Sequence, residues 1–257
     1  MHSELPDFAT NLFDALAERE QMLFDYFLKK TNGVVQSGPF QGMKILPKYS
    51  WLFHGHLVPQ WIGEYEAQLH GVMRELVAQS GTSTLVNLGR GNGYYSIGWA
   101  RTNENSRVLS LDLSDAAIAL SKENAELNGI ASRIEFYLDY QKLYSELATT
   151  STKLIYFIDI EGFEADVVEE LSHLDLLEGS DLVIECDDIG YVNKNITPRL
   201  IDVLNKTHDI SRIDSHNSSI DRFDLRAFTD LDRFIMTTEW RPASMHWLIC
   251  RSRDQTP

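Results

Sequence analysis

The 257-residue chain carries 38 Asp and Glu against 23 Lys and Arg, a formal net charge of −15 at pH 7. Proteins that dock on phosphate polymers release counterions through Lys and Arg; this charge opposes such docking and no basic stripe offsets it, so nucleic acid is not an expected partner. With 43% hydrophobic and 24% charged residues, the composition is that of a folded globular chain and excludes disordered and fibrous classes.

Cys186 and Cys250 are too few for a disulfide framework and too far apart for a zinc site, and both sit in apolar, strand-like runs as small hydrophobes. The N-terminus, with Glu4 and Asp7, has no basic segment followed by an apolar core. Charge interrupts every hydrophobic run well short of the ~18 residues that a membrane span needs. The expectation is a cytoplasmic protein without a membrane partner.

In chain order, Leu5, Phe8, Leu12, Leu16, Leu23, Phe24, Phe27 and Leu28 recur at helical spacing, which predicts an amphipathic helix over Leu5–Lys30 with a break near Glu18. Thr31 to Tyr49 is rich in Gly and Pro and reads as turns around one or two short strands. A second helix is predicted from Gln60 to Gln79, stopping at Ser80-Gly81. Residues 1–80 therefore read as a helical extension with short strands, packing on a domain formed by residues 81–257. In that domain strands are predicted at Thr84–Leu88, Arg107–Asp112, Ile134–Leu138, Leu154–Asp159, Leu182–Cys186, Asp209–Ile213 and Met245–Cys250. Helices are predicted at Tyr94–Arg101, Ser114–Asn128, Lys142–Leu147 and Phe163–Leu171. This alternation gives the α/β class, with a mostly parallel sheet covered by helices on both faces. Ligands bind such sheets outside the carboxyl ends of the strands, so the loops after each strand are where chemistry is sought.

The most informative loop is Gly89-Arg90-Gly91-Asn92-Gly93, where the first of these strands ends and a helix begins. Glycines at alternate positions let backbone turn sharply and approach a ligand. Nineteen residues after Gly93, Asp112 closes the next strand, where a carboxylate can accept hydrogen bonds from ribose hydroxyls. Together these features point to an adenosine-containing ligand. The dinucleotide fingerprint would need its third glycine at position 94, where Tyr94 stands with Tyr95 beside it, in place of an uncrowded helix N-terminus for pyrophosphate.

In these segments the sequence resembles the class I S-adenosylmethionine-dependent methyltransferases, and specifically the FkbM-like family. Asp159-Ile160-Glu161-Gly162-Phe163-Glu164 looks like that family's Asp-x-Glu-Gly-x-Glu signature. Further likeness lies in Leu182-Val183-Ile184-Glu185, in Gly38-Pro39-Phe40-Gln41-Gly42-Met43 and in Gly63-Glu64-Tyr65-Glu66, so that it spans roughly Gly38 to Glu185 and, more loosely, Trp247 to Cys250. The resemblance implies a Rossmann-like seven-stranded sheet and S-adenosyl-L-methionine as cofactor. It places Gly89, Gly91 and Gly93 along the methionine and ribose, with Tyr94 and Leu113 among the cofactor contacts. Asp112 would hold the ribose, Asp139 would face the adenine amino group, and Asp159 would lie near the ammonium and the transferring methyl. One departure is Asn87, where class I enzymes often have an acid; Asn can accept a hydrogen bond from the ammonium without supplying charge.

Methyl transfer is an in-line displacement in which positioning supplies much of the rate, and a hydroxyl acceptor must also lose a proton to a base within reach. Asp159 and Glu161 are the first candidates, because alternate residues leaving a strand point the same way and Gly162 lets the chain swing aside. Glu185, Asp187 and Asp188 form a second acidic group that, with Asp159, could bind Mg²⁺; solvated loop acids are the commoner outcome, and no metal is assigned. His54, His56 and His246 are further bases without a third ligand nearby in sequence. Trp51, Phe53, Trp61, Tyr65, Tyr94 and Tyr95 could cover the cofactor or pack as core. The acceptor implied by resemblance is a hydroxyl of a sugar or polyketide-like metabolite. Two other readings stay open: an NAD(P)-dependent oxidoreductase, and a non-catalytic cofactor-binding scaffold whose N-terminal helix joins a partner or a second copy of the chain.

Overall fold

The computed structural model describes residues 5–48, 56–79, 81–89, 91–188, 195–214, 228–238 and 245–253, the first ten of these as backbone only. The chain divides into two compact units, residues 1–67 with 217–240, and residues 68–216 with 241–257. Among the described residues no helix is long and apolar enough to cross a membrane.

In the first unit, α1 (Leu5–Thr31) runs without the break predicted near Glu18. Its only proline, Pro6, falls in the first turn, where a missing N–H costs nothing, and no glycine interrupts it. The strands expected in 31–49 reduce to one isolated bridge, Val34 with Lys44. The helix predicted over Gln60–Gln79 is three pieces: α2 (Leu57–Ile62), a 3-10 turn at Ala67–Leu69 and α3 (His70–Gln79), the last of which belongs to the second unit. Gly63 ends α2 in the left-handed region and Glu66 follows with φ 45°, so a continuous helix is blocked there. Trp61 is fully buried, donates to the Ile45 carbonyl at 3.2 Å and packs on Phe24. The unit is completed by α9 (Asp230–Thr237), a helix not foreseen, which opens with a Thr229/Asp232 capping box. Arg19 of α1 grips Asp232 through two hydrogen bonds of 2.6 and 2.8 Å.

The second unit is a seven-stranded sheet in the order β3-β2-β1-β4-β5-β7-β6. Its strands are β1 (Ser83–Leu88), β2 (Arg107–Leu111), β3 (Ile134–Tyr137), β4 (Lys153–Ile158), β5 (Asp181–Cys186), β6 (His208–Asp214) and β7 (His246–Ser252). The first five are parallel, while β7 runs antiparallel to both neighbours. The predicted helices appear as α4 (Tyr94–Thr102), α5 (Asp115–Leu127), α6 (Tyr140–Leu147) and α7 (Glu164–His173); α8 (Ile196–Leu204) was not predicted. Every residue of β1 and β5 is buried. Val86, Leu88, Tyr156, Ile158, Leu182 and Ile184 build the core with Leu143, Val168, Leu171, Leu200 and Leu204 from α6, α7 and α8. Burying strands on both sides in this way requires continuous apolar runs rather than alternation.

Register brings the strand ends into line. Leu88 pairs with Leu111 and Ile158, and Ile158 pairs with Ile184. The loops after β1, β2, β4 and β5 therefore leave from one edge. Because β7 is antiparallel, its first residue, His246, pairs with Cys186 at that same edge.

Candidate cofactor and methyl-transfer site

The glycine loop leaves β1 at this edge. Gly89, Gly91 and Gly93 all have positive φ, of 78°, 50° and 87°. The reason differs in part from the one read in the sequence. A Cβ on Gly89 would stand 1.6 Å from the Asp159 carbonyl oxygen, and one on Gly93 would meet Ile97 at 2.9 Å and the Ser121 hydroxyl at 3.1 Å. At these two positions the missing side chains make room for protein as well as turning the backbone.

The loop is tied from below. Ser121 Oγ donates to the Gly91 carbonyl at 3.1 Å and Asn124 Nδ2 to the Asn92 carbonyl at 2.9 Å, both from α5 and both fully buried. Sequence reading missed this pair. Its only signal was two polar residues, three apart, on the apolar face of a helix.

Asp112, just beyond β2, is buried with both oxygens directed into the loops: Oδ2 accepts from the Gly91 amide at 3.3 Å and Oδ1 from the Ser114 amide at 2.9 Å. A carboxylate oxygen has two lone pairs, so these bonds leave acceptor capacity for a diol. Leu113 next to it is 69% exposed, and Leu138 beyond β3 and Phe163 beyond β4 are also large exposed apolar residues at strand ends. Asn87 donates from Nδ2 to Ser96 Oγ at 2.8 Å, and Ser96 is hydrogen-bonded to Ser110, a buried polar chain linking β1, α4 and β2. Its Oδ1 is buried and has no hydrogen-bond partner among the described residues. Tyr94 is buried in the first turn of α4, edge-on to Tyr95, whose ring stacks on Phe157 at 3.9 Å.

The loop after β4 carries the acidic signature. The Asp159 amide donates to the Leu88 carbonyl at 3.0 Å, fixing this half-buried residue beside the glycine loop. Glu161 is exposed and holds φ at 57°, a conformation costly for a residue with a side chain. Glu164, the first residue of α7, turns back beneath it: Oε1 accepts from the Ile160 amide at 3.1 Å and the Gly162 amide at 3.0 Å. Burial pushes the Glu164 carboxyl up to about 7, against the pull of these amides, and the charge of Glu185 adds to the rise. Glu185 is buried at the end of β5.

The other candidates lie apart from this cluster or serve local structure. Asp139 is exposed and caps α6, its Oδ1 accepting from the Gln141 and Lys142 amides. Asp188 accepts from the Thr197 amide at 2.9 Å and the Thr197 hydroxyl at 2.6 Å, and that hydroxyl also meets His246 Nε2 at 2.9 Å. Among the described residues no group of three His, Cys, Asp or Glu could hold a metal ion. His56 packs on Tyr65, whereas Trp51, Phe53, His54 and Arg90 lie outside the described residues.

These groups fit S-adenosyl-L-methionine. The buried Asn87 Oδ1 lacks a donor among the described residues, as a site for an ammonium would; Asp112 can take a ribose diol; and Leu113 offers an apolar face for a purine. Residues 71–154, which include the glycine loop and Asp112, match the ribosomal protein L11 methyltransferase family, PrmA. The second unit is a class I S-adenosylmethionine-dependent methyltransferase domain.

A stretch of 55 residues, 21% of the chain, is 40% identical to the release factor glutamine methyltransferase of Synechocystis sp. (strain ATCC 27184 / PCC 6803 / Kazusa). The chain spans only 18% of the length of that curated relative. Similar solved structures include the O-methyltransferase TomG from Streptomyces achromogenes (13% identity, 70% of this chain and 77% of that one, TM-score 0.47). Cofactor-bound Rv0187 from MTB has 14% identity over 71% and 80% of the chains with TM-score 0.49, and an rRNA methylase from Streptococcus thermophilus has 15% over 72% and 97% with TM-score 0.49.

Proposed function

We propose that this chain transfers the methyl group of S-adenosylmethionine to a hydroxyl of a small molecule, of sugar or polyketide-like type, as an FkbM-like enzyme. The observation that carries the reading is the junction of the glycine loop, Asp112 and the Asp159–Glu161 segment at one sheet edge. When bound, the cofactor supplies an electrophilic methyl on a sulfonium. In this reading Asp112 accepts the ribose hydroxyls and Asn87 the ammonium. Gly89, Gly91, Gly93 and Tyr94 shape the methionine end, Leu113 covers the adenine, and Asp139 takes its amino group with the oxygen that the α6 cap leaves. Asp159 faces the transferring methyl, and Glu161 removes the hydroxyl proton, with Glu185 behind it.

A protein acceptor is the second reading, favoured by the names of the matching family and relative. The family match ends at Leu154, inside β4 and before Asp159, Glu161 and Glu185. It therefore covers donor-side loops and not the acids assigned to the acceptor. The −15 charge also disfavours RNA.

Titration calorimetry with S-adenosylmethionine and S-adenosylhomocysteine tests the donor; absence of heat at hundreds of micromolar ligand would falsify it. A hydroxyl-compound panel, with ribosomal protein and release-factor peptides as competing acceptors, tests the rest. Glu161→Gln should keep cofactor affinity and lose turnover.

A further inference from the structure

The loop after β4 is shaped from within by a residue to which the mechanism above gives no task. Glu164 is 1% exposed. A single oxygen, Oε1, bridges the amides of Ile160 and Gly162, the residues on either side of Glu161. Tying those two amides to one point beneath the loop pushes the residue between them outward, and there Glu161 adopts its left-handed conformation. The second oxygen, Oε2, is buried and makes no hydrogen bond among the described residues. Resting on the functional reading above, we propose that Glu164 is a positioning residue that splints the segment carrying Asp159 and Glu161, and that its proton occupancy sets how firmly that segment is held.

An ionised acceptor makes shorter and stronger hydrogen bonds to amides than a neutral acid does. For loop openings in which Glu164 stays buried, the splint therefore tightens when Glu164 loses its proton, whereas unfolding, which hydrates the carboxylate, becomes easier. Burial first, and the Glu185 charge with it, bring that event up to about 7. Two other titratable groups act with Glu164, Cys186 of β5 and Tyr140 of α6. Both are pushed up to about 12, so they stay neutral near pH 7 and add no charge there.

The test is amide hydrogen exchange on the ligand-free protein between pH 5.5 and 8.5, beside calorimetry with S-adenosylhomocysteine. In the wild type, protection factors at Ile160 and Gly162 should rise through pH 7. Glu164→Gln keeps the acceptor and the fold, and should show flat protection. Glu164→Ala should lose about tenfold or more of the protection at these two amides, the worth of about one to two hydrogen bonds, while β1 and β2 amides are unchanged. Affinity for S-adenosylhomocysteine should fall in the Ala variant and be largely rescued by Gln. Unchanged protection at Ile160 and Gly162 in Glu164→Ala, or a wild-type pH step persisting in Glu164→Gln, overturns the proposal. Wild-type protein that shows the protection step yet binds no S-adenosylhomocysteine overturns the functional reading, and leaves Glu164 a scaffold residue with no site to serve.

Discussion

Gly89, where the chain turns out of β1, and Asp159, just beyond β4, pass so closely that a Cβ on the first would stand 1.6 Å from the carbonyl oxygen of the second. The clash is with backbone, which cannot rotate away, and φ at Gly89 is 78°. Gly89→Ala should therefore destabilise the domain by at least about 3 kcal/mol, in the range reserved for strain and overpacking. Urea unfolding checks this, and a loss under about 1 kcal/mol would show that the two loops can part.

Asp112 is expected to act on ligand and loop together. Asp112→Asn keeps the shape but cannot accept equally from the Gly91 and Ser114 amides and from a diol. Cofactor affinity should fall about 10- to 100-fold, the worth of one or two charge-assisted hydrogen bonds. Calorimetry with S-adenosylhomocysteine reads it, with adenosine as a shorter probe that isolates the ribose end.

Global stability should also register Glu164. Its carboxyl titrates at about 7 in the folded protein and at its ordinary value of 4.5 when unfolded. The folded state then holds the proton more tightly, so the contribution is fully present below pH 4.5 and is lost as pH rises through about 7. The loss amounts to roughly 3 kcal/mol. Comparing the wild type with Glu164→Gln in urea at pH 5 and pH 8 should show the Gln variant losing less stability between the two; parallel losses would refute the assignment.

In the first unit the sign is opposite. The Arg19 guanidinium holds the Asp232 carboxyl down at about 2, helped by Thr229. That stability is present above the ordinary value near 3.8 and disappears as pH falls through about 2. Arg19 is 40% exposed at its side chain, which weakens the pair through solvent screening. Arg19→Ala should cost about 1–2 kcal/mol at pH 7 and little at pH 2, measured by thermal unfolding.

Much of the second unit was legible because strand and helix periods alternate without ambiguity and the glycine loop sits between them. Boundaries for β1 to β5 fall within one residue of those read from the sequence. Reading failed where tertiary context overrode a local pattern. Glu66 and Gly63 break an apolar periodicity that looks continuous, and nothing in single-residue propensity marks Glu66 as a residue with positive φ. Nothing in the helical pattern of 114–128 singles out the buried Ser121 and Asn124, since their partners are carbonyls 30 and 32 positions earlier. Glu164 was read as part of a motif, without the inward turn that gives its carboxyl two amides to hold.

The β2-α5 segment supplies both Asp112 and the two side chains that fasten the glycine loop from underneath. That segment thereby holds the glycine loop in one shape, the shape assigned above to the methyl donor. On the proposed reading, diversification toward new acceptors is then left to the turn after β5, because the turn after β4 lies against Gly89 and cannot change without disturbing the donor loop.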